Sequence, residues 1–130
     1  MGASVSMAKG AAEAGAYPVV GVIGDSTFLH TGVQPLMDAV AGKTDMTLVI
    51  LDNETTGMTG GQPTILPSSR LESVVKGLGI DAEHCRVVEA HPKKIEAMRA
   101  VLQEEIDYHG PSVVIAVREC IETARRSKKR

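Results

Sequence analysis

Short apolar runs alternate along this chain with longer segments in which apolar residues recur every three or four positions. Residues 18–23, 46–52, 86–90 and 112–117 are rich in valine and isoleucine, which is typical of buried strands with both faces covered. The intervening segments have the periodicity of amphipathic helices. This alternation predicts an α/β fold in three layers, a mostly parallel sheet with helices on both faces and right-handed crossovers.

Local signals predict where the helices begin. The first helix is expected from about Ser4. Thr31 and Ser69 each stand three residues before a Gln or Glu, the spacing of a capping box, so helices are expected to follow them. Residues 26–30 are then a connector, and Pro92 opens a longer helix. The predicted buried stripes are Val33, Leu36, Met37 and Val40; Leu71, Val74, Val75 and Leu78; and Ile95, Met98, Val101, Leu102 and Ile106.

Length, charge and hydropathy narrow the classes of function. Residues 1–130 are enough for one domain with a core. The net charge of −2 differs from the strongly positive charge that is typical of nucleic-acid-binding domains. The basic residues at 125–130 are typical of a solvated terminus. No apolar run reaches membrane-spanning length, and the N-terminus lacks a secretory signal pattern. We therefore expect a cytoplasmic protein that binds neither nucleic acid nor membrane.

The two cysteines, Cys85 and Cys120, are far apart in sequence and form no Cys-x-x-Cys motif. Zinc or iron–sulfur ligation within this chain is therefore not expected. Both lie in or beside strand-like runs, where a buried free thiol is the ordinary state.

Polar side chains follow the first two predicted strands at the point where each strand ends. Gly24-Asp25-Ser26 follows the first strand, and Asp52-Asn53 ends the second. The carboxyl ends of parallel strands form the edge where ligands bind in open α/β sheets. Oxygen ligands in small number suit Mg²⁺, which completes its shell with water and phosphate oxygens. The pattern predicts a Mg²⁺-diphosphate site, whereas a helix cap at Asp25 and a turn at Asn53 are the alternative.

A long connection follows the second strand, over residues 53–67. Loops of this length in a compact domain are functional or disordered. Its glycines allow backbone N–H groups to form an anion nest, and its threonines add hydroxyl donors. His30 is the one histidine that we expect at the same edge of the sheet.

These motifs also match a known family. Gly24-Asp25-Ser26, followed after 26 residues by Asn53, resembles the thiamine-diphosphate signature, with Ser26 in place of the last glycine. Together with residues 27–32, 51–62, 1–8 and 112–116, it resembles the thiamine-diphosphate-binding domain of indolepyruvate:ferredoxin oxidoreductase, within the 2-oxoacid:ferredoxin oxidoreductases. The resemblance covers essentially the whole chain.

The resemblance implies the ligands of the cofactor. Asp25 and Asn53 would bind Mg²⁺ through their side chains, and Thr55 through its main-chain carbonyl. The implied cofactor-binding residues are Gly24, Asp25, Ser26, Thr27, Asn53, Thr55, Thr56, Gly57, Met58, Thr59 and Gly60. His30 has two interpretations: a catalytic residue that orients substrate or handles a proton near the thiazolium ring, or a structural loop histidine.

The resemblance further implies oxidative decarboxylation of a 2-oxoacid such as indolepyruvate to the acyl-CoA, with ferredoxin as electron acceptor. Alternatives are a non-oxidative thiamine-diphosphate-dependent 2-oxoacid decarboxylase subunit and a non-catalytic module for Mg²⁺ and a diphosphate. The expected partners are the remaining domains or subunits, ferredoxin and coenzyme A, with iron–sulfur clusters only on those other segments. We expect the chain to be the diphosphate-binding part of a larger subunit, inactive alone and homodimeric in isolation.

Overall fold

Four parallel strands form the central sheet of the computed structural model, which describes residues 1–53, 55–56 and 62–118. In chain order the strands are β1 (Val20–Gly24), β2 (Met46–Asp52), the two-residue strands β3 (Thr55–Thr56) and β4 (Gln62–Pro63), β5 (Cys85–Glu89) and β6 (Pro111–Val117). The sheet order is β1-β2-β6-β5, while β3 and β4 pair antiparallel. The four strands predicted from the apolar runs are all present, and no end is shifted by more than two residues.

Five helices cover this sheet in the described part of the chain. They are α1 (Ala3–Glu13), α2 (Asp25–Thr27), α3 (Val33–Ala41), α4 (Ser68–Gly77) and α5 (Ile95–Asp107). A π-helical turn, Phe28–Gly32, joins α2 to α3, and 3-10 turns precede β5 (Ala82–His84) and α5 (Pro92–Lys94). None of the helices in the described ranges is long and apolar enough to cross a membrane.

The main hydrophobic core lies on the face of the sheet that carries Ile23, Leu48 and Ile50, here called the near face. Helices α1, α3 and α4 cover it, because their apolar stripes point to the same cluster. The buried helical residues of this core are Val5, Ala8, Leu36, Ala39, Leu71 and Val75. Gly21 allows close approach, since a Cβ there would lie 3.2 Å from the Cβ of Ala8.

The opposite face, the far face, is covered by α5 alone among the described residues. Leu102 packs there against Val49, Val114 and Ala116. Thr47 Oγ1 donates a hydrogen bond of 2.9 Å to the carbonyl oxygen of Glu105. The sheet thus has helices on both faces, as predicted, in three layers.

The prediction that the second helix begins after Thr31 was wrong. The chain is helical from Asp25, so residues 26–30 are not a connector. Thr31 does not cap α3, because its hydroxyl donates to the carbonyl oxygen of Thr27 at 3.0 Å, one turn back. Phe28 is buried in the core and holds this turn in place. A capping-box pattern contains no information on such burial.

Two further details of the predicted helices were wrong. Ser69 does not cap α4, which begins at Ser68 without a side-chain cap. Met37 and Ile95, predicted to be buried, are 51% and 55% exposed. The fully buried residue of α5 is Glu105, which apolar periodicity cannot identify.

The three other histidines, His84, His91 and His109, lie at the ends of elements. His91 caps the turn before α5, where its Nδ1 accepts the N–H of Lys93 at 3.2 Å. His84 Nδ1 lies 2.9 Å from the Glu105 carboxylate, and its ring stacks on Tyr108. Cys85 is a buried free thiol, as predicted, whereas Cys120 lies outside the described residues.

Candidate functional site

The carboxyl ends of β1 and β2 lie side by side, with Gly24 opposite Leu51. This register brings Asp25, directly after β1, next to Asp52, the last residue of β2. Both carboxyl groups are buried, with 5% and 2% of the residue surface exposed. The strand-end pattern therefore identified two acidic residues that the fold brings together.

Backbone N–H groups of the two strand ends hold the Asp25 carboxylate. Its Oδ1 accepts the N–H of Ser26 at 2.7 Å, and its Oδ2 accepts the N–H of Asn53 at 3.2 Å. Asn53 Oδ1 in turn accepts the N–H of Thr55 at 3.1 Å. One network thus joins Asp25 to Asn53 and Thr55, the three residues that the family resemblance implied as ligands of the cation.

The surroundings of Asp25 act on the pKa of its carboxyl group in opposite directions. Burial raises the pKa of the Asp25 carboxyl above its ordinary value of 3.8, and a hydrogen bond and the negative charge of Asp52 raise it further. The N–H groups of Ser26 and Asn53 act in the other direction by stabilising the carboxylate. A cation bound here would relieve the cost of bringing two acidic side chains together out of water.

Ser68 belongs to this site, although the sequence pattern did not select it. As the first residue of α4, it donates its hydroxyl to Asp52 Oδ1 at 2.6 Å. Asp52 is part of the strand-end motif, and the predicted ligands of that motif are Asp25 and Asn53. Its place at the end of a buried strand was an available signal, whereas no local signal pairs it with Ser68.

His30 lies on the π-helical turn and is exposed. The N-terminus of α1 packs closely on the same turn, because a Cβ at Gly2 would lie only 2.0 Å from Thr31 Oγ1. Turns of this type are frequent at functional sites. The structure therefore places the predicted catalytic histidine at the solvent side of this turn, within one helical segment that begins at Asp25.

The other predicted site residues differ in how far the structure describes them. A Cβ built on Gly24 meets no atom of the described residues within 4 Å, so these residues leave open space beside the end of β1. Ser26 and Thr27 are half-buried in the first helical turn, and Thr56 lies in β3. The Thr55 hydroxyl is buried without a hydrogen-bond partner among the described residues. Gly57, Met58, Thr59 and Gly60 lie outside the described residues.

The donor set determines which cation fits. Within residues 1–53, 55–56 and 62–118, no group of three or more His, Cys, Asp and Glu side chains is placed to hold a metal ion. A cation at this edge would instead be held by carboxylate, amide and carbonyl oxygens. Such hard oxygen donors in small number fit Mg²⁺ that is also bound by phosphate, and the open space at Gly24 fits an approaching ligand.

Comparison with known protein families gives one match over most of the chain. Residues 1–116 match the model of the thiamine pyrophosphate enzyme, C-terminal TPP binding domain. The indolepyruvate oxidoreductase subunit IorA of Archaeoglobus fulgidus is 39% identical, over 100% of this chain and 22% of that protein. The subunit of the same name from Methanothermobacter thermautotrophicus is 33% identical, over 93% of this chain and 21% of its own length. The chain thus spans about a fifth of the length of these relatives. The family that the motifs indicated, the thiamine-diphosphate-binding domain of an indolepyruvate oxidoreductase, is confirmed.

Solved structures share the fold. The benzoylformate decarboxylase of Polynucleobacter necessarius superposes with a TM-score of 0.65, at 20% identity, over 91% of this chain and 24% of that chain. The thiamine diphosphate-dependent 4-hydroxybenzoylformate decarboxylase of Rhodococcus jostii RHA1 gives 0.67 at 21% identity, over 92% and 23%. At these identities the likeness establishes the three-layer architecture only.

Proposed function

Because this chain belongs to the thiamine pyrophosphate enzymes, as a C-terminal TPP-binding domain, we propose that it holds the diphosphate end of thiamine diphosphate through Mg²⁺. The observation that carries the proposal is the burial of Asp25 against Asp52 where β1 and β2 end. Two neighbouring carboxyl groups removed from water favour a bound cation, and the surrounding oxygen donors suit Mg²⁺.

The proposed ligands come from the two strand ends. The side-chain oxygens of Asp25 and Asn53 and the main-chain carbonyl of Thr55 would bind the cation. Ser26 and Thr27 would donate hydrogen bonds to the diphosphate, beside the open space at Gly24. The connection after Thr55 would complete the cradle through the remaining proposed contacts, Thr56, Gly57, Met58, Thr59 and Gly60.

The cofactor would supply the chemistry of the reaction, and the protein would position the cofactor and the substrate. When bound, thiamine diphosphate supplies carbanion chemistry for cleaving the bond between the carbonyl and carboxyl carbons of a 2-oxoacid. His30 would orient the substrate or hold a proton at an imidazole nitrogen, since it lies exposed on the helical segment that starts at Asp25. A structural role of His30 is the alternative, and an unchanged kcat/KM in His30→Gln would support it.

We further propose that the assembled enzyme oxidatively decarboxylates an aryl 2-oxoacid such as indolepyruvate to the acyl-CoA. The similarity to the IorA subunits supports this substrate class. Because the chain spans about a fifth of those relatives, other segments would contact the aminopyrimidine and coenzyme A and would hold the iron–sulfur clusters that pass electrons to ferredoxin. The chain alone would bind the cofactor weakly and show no turnover, because much of the ligand stays in water.

The binding proposal is tested by isothermal titration of the 130-residue chain with thiamine diphosphate, with Mg²⁺ and with EDTA. Binding is expected only with Mg²⁺, and Asp25→Ala is expected to weaken it by about tenfold or more, as losses at metal sites commonly do. Asp45→Ala is the matched control, since Asp45 lies before β2 at the opposite edge of the sheet and pairs with exposed His109. Binding that persists in EDTA would contradict the proposed metal site.

The activity proposal needs the chain together with the remaining subunits, coenzyme A and a low-potential electron acceptor. Reduction of the acceptor that depends on the 2-oxoacid is the expected result. Release of CO₂ without reduction would instead indicate a non-oxidative decarboxylase. Nucleotides that bind the chain as tightly as thiamine diphosphate would indicate a general diphosphate-binding module.

A further inference from the structure

Asp52 is fixed from several directions at the end of β2. It lies opposite Val117 in the β2–β6 pairing, and its carbonyl oxygen accepts the N–H of Arg118 at 2.8 Å. Its Oδ1 accepts the hydroxyl of Ser68 at 2.6 Å, and only 2% of its surface is exposed. A partly buried hydroxyl-to-carboxylate bond of this length belongs to the stronger class of hydrogen bonds.

This bond joins the two ends of the connection between β2 and α4. The connection leaves the sheet at Asn53, directly after Asp52, and returns at Ser68, the first residue of α4. The hydrogen bond therefore closes the connection at its base, and the pairing of Thr55 with Pro63 and of Thr56 with Gln62 holds its two arms together. Closing a loop at its base lowers the conformational entropy of the residues next to the closure.

We infer that Asp52 and Ser68 form a positioning pair that holds Asn53 and Thr55 in place for the cation and the diphosphate. The inference rests on the proposed function, because it assigns the pair a purpose at that same site. Asp52 lies beside Asp25 where β1 and β2 end, and it accepts the Ser68 hydroxyl, so it connects the end of β1, the end of β2 and the start of α4. Neither Asp52 nor Ser68 needs to touch the cation to perform this role.

The test compares Ser68→Ala with two further variants. Ser68→Thr keeps a hydroxyl at the same Cβ, and Ser69→Ala removes a hydroxyl from the neighbouring exposed position in the same helical turn. Three quantities are measured in the 130-residue chain: the Mg²⁺ concentration for half-maximal binding of thiamine diphosphate, the ligand-free melting temperature, and hydrogen exchange at the amides of Asn53 and Thr55.

Ser68→Ala is expected to raise the Mg²⁺ requirement by about tenfold, the lower end for residues that orient metal ligands. The amide of Thr55 should exchange faster, Ser68→Thr should restore both values, and Ser69→Ala should resemble the wild type. Wild-type binding with an unchanged Mg²⁺ requirement and unchanged exchange in Ser68→Ala would overturn the positioning pair alone. A Ser68→Ala defect that only follows a lowered melting temperature and is not rescued by threonine would also overturn it. Absence of Mg²⁺-dependent binding in the wild type would overturn the proposed function itself.

Discussion

Two acidic residues at the strand ends, Asp25 and Asp52, are held in an unfavourable electrostatic arrangement. Asp25 and Asp52 are buried side by side, and burial together with the neighbouring Asp52 raises the pKa of Asp25. A core built for stability alone would avoid this arrangement, because desolvation penalises the charged form of each acid. Strained or poorly solvated groups of this kind concentrate at functional sites, where stability is given up for binding.

Cys85 shows the opposite case, a titratable group kept neutral by its surroundings. Burial, with the charge of Glu72, raises the pKa of its thiol from 9.0 to about 11. Because the folded chain binds this proton more tightly than the unfolded chain, the free energy of unfolding should fall as pH rises from about 9 to about 11. The thiolate fraction at neutral pH is also lower in the folded chain, so the thiol should be unreactive there.

We therefore predict that iodoacetamide alkylates Cys85 roughly a hundredfold more slowly in the native chain than in urea, as two pKa units imply. The measurement is made at about pH 8 in a Cys120→Ser variant, so that only one thiol reports. Native and denatured rates that agree within about threefold would contradict the prediction.

At the scale of elements, the helical segment that starts at Asp25 is the feature most directly tied to the site. It runs from α2 through the π-helical turn into α3, and buried Phe28 holds it against the core. Gly32 is required at the end of the turn, because a Cβ there would approach a ring atom of Phe28 to 2.7 Å. Ser26 and His30 therefore lie on one continuous helical segment and not on an irregular loop.

Helix α5 carries a buried carboxyl side chain, Glu105, in its last turn. The Glu105 side chain is inaccessible to solvent, lies 2.9 Å from His84 Nδ1 and also contacts Arg86 at 3.3 Å. Removing one partner of a buried carboxylate leaves its desolvation uncompensated. His84 also stacks on Tyr108, so it fixes the end of α5 through two contacts.

We predict that His84→Ala lowers the free energy of unfolding by about 1–3 kcal/mol. His109→Ala is the matched control: its ring also stacks on a tyrosine and contacts an acid, but 70% of its side chain is exposed. Its cost should stay below about 1 kcal/mol, as for surface ion pairs. Urea denaturation measures both variants, and equal losses would contradict the importance of burial.

For the whole molecule, the main feature is the unequal cover of the two sheet faces. Three helices cover the near face, whereas α5 covers only part of the far face among the described residues. Val20, Val22 and Leu51 at the β1 edge of the far face are therefore 42–49% exposed. Parallel sheets are ordinarily buried on both faces. The exposed apolar patch formed by Val20, Val22 and Leu51 therefore favours association with another chain.

We predict that the isolated chain self-associates as a two-fold dimer through this edge and that Val22→Lys weakens the association by about tenfold or more, because an ammonium group resists burial. Val87→Lys is the control, since Val87 has the same exposure, 50%, but lies on the near face of β5. Sedimentation velocity over a range of concentrations measures both. A monomeric wild type, or equal effects of the two variants, would contradict the prediction.

The sequence by itself determined the strands, their parallel arrangement and the edge that carries the acidic residues. Apolar runs and strand ends are local patterns, and each is set by residues close together in the chain. The strand ends also predicted Asp25 and Asn53 as cation ligands, whereas Thr55 was implied by the family resemblance. The structure joins the three residues through the N–H groups of Asn53 and Thr55.

Only the tertiary structure decided the partners that lie far apart in sequence. The Ser68 hydroxyl reaches Asp52, Glu105 pairs with His84, and Phe28 turns an expected connector into a helix. Capping boxes describe the competition for hydrogen bonds within a few residues, so they fail where a distant carboxylate or a core pocket offers a better partner. Burial and long-range hydrogen bonds are properties of the packed chain, and they decide these contacts.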